Sequence, residues 1–152
     1  MKFENFVKKE VPYGVTIRTE SDGNWLYNDG MYVNIPNTLG TIGRITADPL
    51  IIGILENHLH ESEISGEAHL KEAILRKPDG KNKDIIRVFK NKFGDSVAIT
   101  NEQFGMIEKK DMCVLSEFTD LEDGTYTRAL LIGPYAEIDE FEPEAVILEM
   151  EE

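Results

Sequence analysis

The chain has 152 residues, of which 41% are hydrophobic and 30% are charged, and its formal net charge is −13. This composition is typical of one globular domain over residues 1–152 and argues against intrinsic disorder, because enough apolar side chains are present to offset chain entropy. No apolar run approaches the ~20 residues that a membrane-spanning helix needs, and the opening residues lack the layout of a signal peptide. We therefore expect a folded domain with no membrane partner.

The first part of the chain predicts a short helix followed by a three-stranded meander. Apolar residues at helical spacing favour a helix over residues 2–10. Between Val15 and Ile35 the pattern changes to alternating apolar and polar residues, and turn residues at 21–24 and 28–30 divide this stretch into three strands.

Two helices are predicted in the middle of the chain. Asp48 followed by Pro49 is typical of a helix start, because the Asp side chain accepts from free backbone N–H groups and proline has no N–H to leave unpaired. The first helix is expected over residues 50–59. The second is expected over residues 67–77, where Ala, Leu, Glu and Lys dominate and opposite charges lie four residues apart.

The second half of the chain predicts antiparallel strands. Residues 85–89 and 97–100 should form one hairpin, residues 112–118 and 125–132 a second, and residues 145–150 a final strand. The predicted fold class is therefore α+β, with a mainly antiparallel sheet made of the N-terminal meander, the two later hairpins and the final strand, and with two central helices.

Apolar residues at period-two or helical positions in these segments are expected to supply much of the core. They are Trp25, Leu26, Met31, Val33, Ile35, Leu55, Leu70, Ile74, Ile86, Val88, Val97, Ile99, Val114, Leu130 and Ile132.

Charge is distributed unevenly along the chain. Residues 1–60 carry a net charge of −2, residues 61–110 carry +1, and residues 111–152 carry −12. The molecule is thus electrically polarised along its sequence, a pattern suited to self-association or to association with another protein. The positive charge is concentrated in one basic segment, which contains Arg76, Lys77, Lys81, Lys83, Arg87, Lys90 and Lys92.

The basic segment supports one alternative function, association with nucleic acid. A row of cations beside Phe89 could hold a phosphate backbone while the aromatic ring stacks on a base. The net charge of −13 opposes this interpretation, because an anionic protein repels phosphate at long range.

The acidic C-terminal third has three interpretations. It could be a solvated face that maintains solubility, it could pair with the basic segment inside the fold, or it could form a functional acidic surface that imitates nucleic acid and occupies a basic groove on a partner protein. Imitation requires the charges to share one face. The candidate surface residues are Glu137, Asp139, Glu140 and Glu142, to which Asp120, Glu122, Asp123 and Glu144 could add.

A second alternative is a small metal-dependent hydrolase. Glu56, His58, His60 and His69 contain enough ligand atoms for zinc. On a helix, however, His58 and His60 would point to nearly opposite sides, which favours ordinary solvated histidines. Neither a catalytic motif nor a cofactor fingerprint occurs in the sequence, so we expect no cofactor and favour a non-catalytic protein.

The cysteine content indicates a reducing compartment. Cys113 is the only cysteine, so an internal disulfide is impossible, and its apolar neighbours predict a buried strand position. The cytoplasm fits these features best.

Four short stretches of the sequence have a distinctive texture: Phe3-Glu4-Asn5-Phe6, Pro12-Tyr13-Gly14, Trp25-Leu26-Tyr27 and Ile99-Thr100-Asn101. In these stretches the chain resembles small proteins encoded by bacterial phages and prophages. The resemblance implies a virion, replication-accessory or anti-defence role, and it implies no catalytic or binding residue. The function expected from the sequence is thus a non-catalytic interaction or accessory protein that acts through its surface on a protein partner or on a second copy.

Overall fold

The computed structural model describes residues 1–2, 14–19, 22–35, 44–75, 85–122 and 124–150. Within these ranges the chain forms ten strands, two α-helices, a π-helical turn and a 3-10 turn. The helix predicted over residues 2–10 lies outside the described residues. The elements are β1 (Val15–Arg18), β2 (Asn24–Asn28), β3 (Met31–Ile35), β4 (Arg44–Ile45), α1 (Pro49–Glu56), the π-helical turn (Asn57–Glu61), β5 (Glu63–Leu75), β6 (Ile85–Asn91), β7 (Ser96–Thr100), α2 (Asn101–Phe104), β8 (Asp111–Thr119), β9 (Tyr126–Pro134), the 3-10 turn (Ile138–Glu140) and β10 (Ala145–Leu148).

The ten strands form one sheet in the order β4-β1-β2-β3-β10-β9-β8-β5-β6-β7. The fold is α+β and mostly sheet. The sheet is mixed rather than purely antiparallel, because β4 lies parallel to β1, with Val15 beside Arg44. A strand of two residues is too short to show alternation in the sequence, and β4 was therefore not predicted.

The predicted meander, the two later hairpins and the final strand are all present. In the meander, Tyr27 pairs with Tyr32 across the β2–β3 turn. Asp29 and Gly30 have φ values of 48° and 79° in that turn. Two positive φ values match the right-handed twist of the flanking strands, so the Asp-Gly pair was a reliable hairpin signal.

Helix α1 begins where the sequence predicts. The Asp48 side chain accepts a hydrogen bond from the Leu50 backbone N–H at 2.9 Å, and Pro49 occupies the first helical position. The Tyr32 hydroxyl donates to the Ile51 carbonyl at 2.8 Å and so ties the helix to strand β3. Burial raises the pKa of Tyr32, which keeps the phenol protonated as this donor.

The second predicted helix, over residues 67–77, is wrong. These residues belong largely to strand β5, whose first part pairs with β8 and whose second part pairs with β6. Helix propensities differ by only a few tenths of a kcal/mol per residue for ordinary residues, so hydrogen bonds to partner strands outweigh them. Gly66, with a φ of 114°, and two register shifts bend the strand between its two partners.

Both faces of the central strands are buried, and alternate residues serve different clusters. In β8, Cys113 and Leu115 face one cluster while Met112 and Val114 face the other. Cys113 is a buried core residue, as predicted, and burial raises the pKa of its thiol to about 12. Most of the predicted core residues are buried. The exceptions are Leu70 and Ile74, which are exposed, and Ile86, which is partly exposed.

Strands β6 and β7 fold over one face of the central strands, while α1 covers the other. Val97 and Ile99 of β7 share a cluster with Leu130 of β9. The outer edge of β7 is held by the Met150 N–H, which donates to Ala98 O at 3.0 Å, and by Arg128 Nη1, which donates to Ser96 O at 2.9 Å. The sheet therefore curls until its β7 edge meets the end of β10.

Candidate functional site

Residues 135–144 connect β9 to β10 and are here called the acidic loop. It presents two apolar side chains to solvent, since Tyr135 is 79% exposed and Ile138 is 44% exposed. It contains no basic residue. Its five carboxylates are all exposed and belong to Glu137, Asp139, Glu140, Glu142 and Glu144.

Close packing against β9 holds the acidic loop in place. A Cβ atom added to Gly133 would lie 2.4 Å from the Glu142 carbonyl oxygen and 3.1 Å from the Phe141 ring. Only glycine allows the loop to approach the strand this closely. The Phe141 ring also packs against the cluster beneath α1, so the middle of the loop is anchored to the body of the protein.

Backbone hydrogen bonds hold the C-terminal end of the acidic loop and its 3-10 turn. The Glu144 N–H donates to Ile132 O at 2.7 Å, and the Asn34 N–H donates to Glu144 O at 2.8 Å. The Glu140 N–H donates to Glu137 O at 2.9 Å within the 3-10 turn. The carboxylates therefore project from a backbone whose course is determined by its neighbours, which lowers the entropy cost of binding a partner.

A groove of about 490 Å³ adjoins the acidic loop. Carboxylates and aromatic rings line it together, a combination that suits a lysine or arginine side chain, because the acids attract the cation and the rings contact its aliphatic stem. The lining residues are Asp22, Trp25, Asn34, Leu59, His60, Pro134, Phe141, Glu142, Pro143 and Glu144.

Four hydrogen-bonding contacts hold Asp22 at this groove. Trp25 Nε1 and Asn34 Nδ2 both donate to its backbone carbonyl, at 3.0 and 3.1 Å. Its backbone N–H donates to Thr19 Oγ1 at 2.9 Å, and His60 Nε2 lies 2.7 Å from its Oδ2 atom. The sequence did not indicate this site, because the contacts join the β1–β2 turn to residues far away in the chain.

The remaining acidic residues of the C-terminal third do not share this surface. Asp120 and Glu122 lie in the β8–β9 turn, next to the pair formed by Thr119 and Tyr126, whereas the acidic loop follows Pro134. The two groups are separated by the length of the hairpin, roughly 27 Å for eight residue steps. The eight carboxylates considered in the sequence therefore do not form one continuous face, and Asp123 lies outside the described residues.

The basic segment is divided between two faces of β6. Arg87 lies 4.5 Å from the Phe104 ring and donates to Asn101 Oδ1, whereas Lys90 lies on the opposite face, 3.8 Å from Glu72. Phe89 is only 4% exposed and packs in the core, so it cannot stack on a base. The described cations therefore do not form a row beside an accessible ring. Arg76, Lys77, Lys81 and Lys83 lie outside the described residues.

Lys92 lies in the β6–β7 turn, next to the exposed Phe93. Phe93 was not among the candidate binding residues predicted from the sequence. Phe93 is 68% exposed, and Lys92 Nζ lies 5.1 Å from its ring. The Lys-Phe-Gly-Asp turn pattern was a signal that this phenylalanine lies at the surface.

The structure does not bring Glu56, His58, His60 and His69 together. His58 is buried, His60 contacts Asp22, and His69 lies on β5, 3.6 Å from Glu67. Glu56 is exposed at the end of α1. In the described part of the chain, no group of three or more histidine, cysteine, aspartate or glutamate side chains is arranged to hold a metal ion.

His58 instead belongs to a buried polar cluster that the sequence did not reveal. Its two ring nitrogens lie 2.8 Å from Ser116 Oγ and 2.8 Å from Thr127 Oγ1. Burial lowers the pKa of His58 to about 4, because the surroundings disfavour the charged ring. The imidazole is therefore neutral near pH 7 and acts as a structural link between the π-helical turn and the β8–β9 pair.

Comparisons with known proteins do not connect the chain to a family: no family model, no curated protein and no solved structure matches it. Among the described helices, none is both long enough and apolar enough to span a membrane.

Proposed function

We propose that this protein is a non-catalytic interaction protein, which binds a positively charged partner protein through the acidic loop. One observation carries the proposal: five exposed carboxylates project from a loop that is close-packed against Gly133 and hydrogen-bonded at its C-terminal end. Like charges repel one another, so concentrating them on a fixed loop is unfavourable for folding and becomes favourable when a cationic surface neutralises them.

The apolar side chains of the loop support protein as the partner. Tyr135 and Ile138 stand exposed among the carboxylates, and aromatic residues surrounded by polar groups are enriched at protein interfaces. The adjoining groove would receive one basic side chain, with Asp22 and Glu142 supplying the negative charge. The surface therefore suits a partner segment that combines lysine or arginine with apolar residues.

Imitation of nucleic acid is the narrower form of this proposal. It rests on the acidic loop alone, since Asp120 and Glu122 lie at the other end of the hairpin. The partner would then be a protein whose basic groove normally holds a phosphate backbone. The resemblance to phage and prophage proteins favours a virion, replication-accessory or anti-defence setting, and the single free cysteine favours the cytoplasm.

The test compares two variants that each remove three negative charges. The loop variant is Glu137→Gln, Asp139→Asn and Glu140→Gln, and the control variant is Glu61→Gln, Glu63→Gln and Glu122→Gln, which changes exposed residues elsewhere. Wild type, loop variant and control are immobilised, captured bacterial proteins are identified, and binding of the purified partner is measured. The loop variant should lose binding while the control retains it, and salt should weaken the wild-type interaction.

Two further measurements make the result specific. Asp22→Asn together with Glu142→Gln should weaken binding if a basic side chain enters the groove. Duplex DNA should compete for the partner if the loop imitates nucleic acid. Equal loss of binding in the loop and control variants would indicate nonspecific attraction. The melting temperature of each variant is measured first, so that only folded proteins are compared for binding.

A further inference from the structure

Strand β5 leaves its neighbour β8 halfway along its length. The two strands pair from Glu63 to Glu67, and a cleft of about 390 Å³ then opens between β5 and the turn at residues 109–111. From Ala68 to Leu75, β5 pairs with β6 on its other side. On the side that faces away from β6, this stretch has no partner strand among the described residues. It is a free edge of eight residues, roughly 26 Å long.

The free edge belongs to an arm whose two faces are both open to solvent. All six residues from His69 to Ile74 are exposed. Leu70 is 39% exposed and Ile74 is 44% exposed, although they lie on opposite faces of the arm. An exposed edge with apolar residues favours pairing with another strand, because its backbone N–H and C=O groups lack partners in the sheet. The β7 edge, by contrast, is engaged by Met150 and Arg128.

A bulge gives the arm a symmetric arrangement of faces. Leu70 pairs with Phe89 and Ala73 pairs with Arg87, so the register shift between Leu70 and Glu72 places Leu70 and Ala73 on the same face. By the same register, His69 and Ile74 share the opposite face, opposite Lys90 and Ile86. The faces of His69 and Leu70 are therefore matched by those of Ile74 and Ala73, about a midpoint between Lys71 and Glu72.

We propose that two copies of this chain form a symmetric dimer by pairing these β5 edges antiparallel, with the twofold axis between Lys71 and Glu72. In this register Leu70 lies opposite Ala73 of the second copy, and His69 lies opposite its Ile74, so the two residues of each pair share a face. Lys71 lies opposite Glu72 of the second copy, and the twofold axis repeats that contact. A symmetric interface requires such self-complementarity, since the same patch serves both subunits.

Charge favours this register over the registers that are shifted by one residue in either direction. A shift that placed Lys71 opposite Lys71, or Glu72 opposite Glu72, would put like charges side by side, which destabilises a strand pair. A lysine and a bulge at an edge also discourage pairing with unrelated strands. A second copy is the partner that carries the matching glutamate at the matching position.

The first experiment is a charge-reversal cycle. Oligomeric state is measured by light scattering with size exclusion from about 5 to about 500 µM, because a junction of one strand pair is small and favours a concentration-dependent dimer. Lys71→Glu places glutamate opposite Glu72 and should raise the dissociation constant at least about tenfold. The triple variant Lys71→Glu, Glu72→Lys, Lys90→Glu restores opposite charges across the dimer and also at the contact between residues 72 and 90 within the arm, and it should restore the dimer. Arg44→Glu, at an exposed site on β4 at the other end of the strand order, is the charge-reversal control and should dimerise as wild type does.

The second experiment tests the register. Leu70→Cys and Ala73→Cys proteins are prepared separately, and Cys113 is buried. Opposed residues across an antiparallel pair have Cβ atoms about 4.5–5.5 Å apart, close enough for a disulfide with a small adjustment. A mixture of the two proteins should cross-link under mild oxidation, and neither protein alone should do so.

Two results would overturn the inference. One is a monomer throughout the concentration range. The other is a dimer that Lys71→Glu leaves intact and that forms no mixed cross-link, since that dimer would use another surface. Tyr135 of the acidic loop lines the cleft beside this edge. None of these variants changes a carboxylate of the loop, so the dimer and the proposed partner binding are tested by different substitutions.

Discussion

The Nδ1 atom of His58 lies 2.8 Å from the Oγ atom of Ser116, and this buried hydrogen bond joins the π-helical turn to strand β8. The Oγ1 atom of Thr127, in β9, lies at the same distance from the other ring nitrogen, Nε2. His58 is 1% exposed, and both of its nitrogens have a hydroxyl partner, as buried polar groups require. The imidazole thus attaches the helical layer to two adjacent central strands.

The free energy of unfolding should decrease as the pH falls from 6.5 to about 4, because His58 has different pKa values in the unfolded and folded states. Its pKa is lowered from 6.5 to about 4 in the folded protein, so between these values the unfolded chain binds more protons than the folded one. The loss begins as the pH falls below 6.5 and is complete near pH 4, with an upper limit of about 3 kcal/mol for a shift of this size. Urea unfolding at several pH values measures it.

The control for this pH dependence is His58→Gln, which keeps hydrogen-bonding capacity but does not titrate in this range. The carboxylates titrate in both proteins, so the difference between their pH profiles isolates His58. Parallel profiles between pH 6.5 and 4 would contradict the prediction.

Thr127→Val should destabilise the protein by about 1–3 kcal/mol, because the isosteric side chain leaves His58 Nε2 buried without its partner. Thr119→Val is the matched control, since Thr119 is exposed on β8 and the change should cost little. Chemical denaturation of the two variants beside wild type gives the comparison. Similar free energies of unfolding for both variants would show that the Thr127 bond contributes nothing.

Gly133→Ala should displace the acidic loop. The new methyl group would lie 2.4 Å from the Glu142 carbonyl oxygen, which is backbone and cannot move without moving the loop. We expect a loss of stability of about 1–3 kcal/mol, as for other overpacking changes, together with weaker partner binding. Thermal denaturation and the capture assay test the two effects. Unchanged binding at full stability would mean that the loop position is unimportant.

Gly53→Ala should have the opposite effect on stability. Gly53 lies in α1, and a Cβ added there meets no atom within 4 Å. Alanine is favoured over glycine in a helix interior by about 0.8–1.0 kcal/mol. The unfolding free energy should therefore rise by nearly that amount. A decrease would show that the glycine has a packing role that its surroundings do not reveal.

Several elements were predictable because their signals are local. The Asp48-Pro49 pair begins α1, the Asp29-Gly30 pair makes the β2–β3 turn, and alternation marks the strands of both later hairpins. Each signal depends on backbone conformation within a few residues, which the side chains there largely determine. The clustering of carboxylates in residues 135–144 was visible for the same reason, since it is a property of composition.

Tertiary structure alone determined that β5 is a strand rather than a helix, and it determined which of the candidate residues lie close together. Leu70 and Ile74 read as one face of a helix, yet β6 and β8 supply backbone partners that make the segment a strand. Strand register likewise separates Asp120 from the acidic loop. It also buries the ring of Phe89, although Phe89 lies between Arg87 and Lys90 in the sequence. Helix propensity favours a helix over residues 67–77 by only tenths of a kcal/mol per residue, whereas the pairing of distant strands contributes many cooperative hydrogen bonds and buried contacts at once.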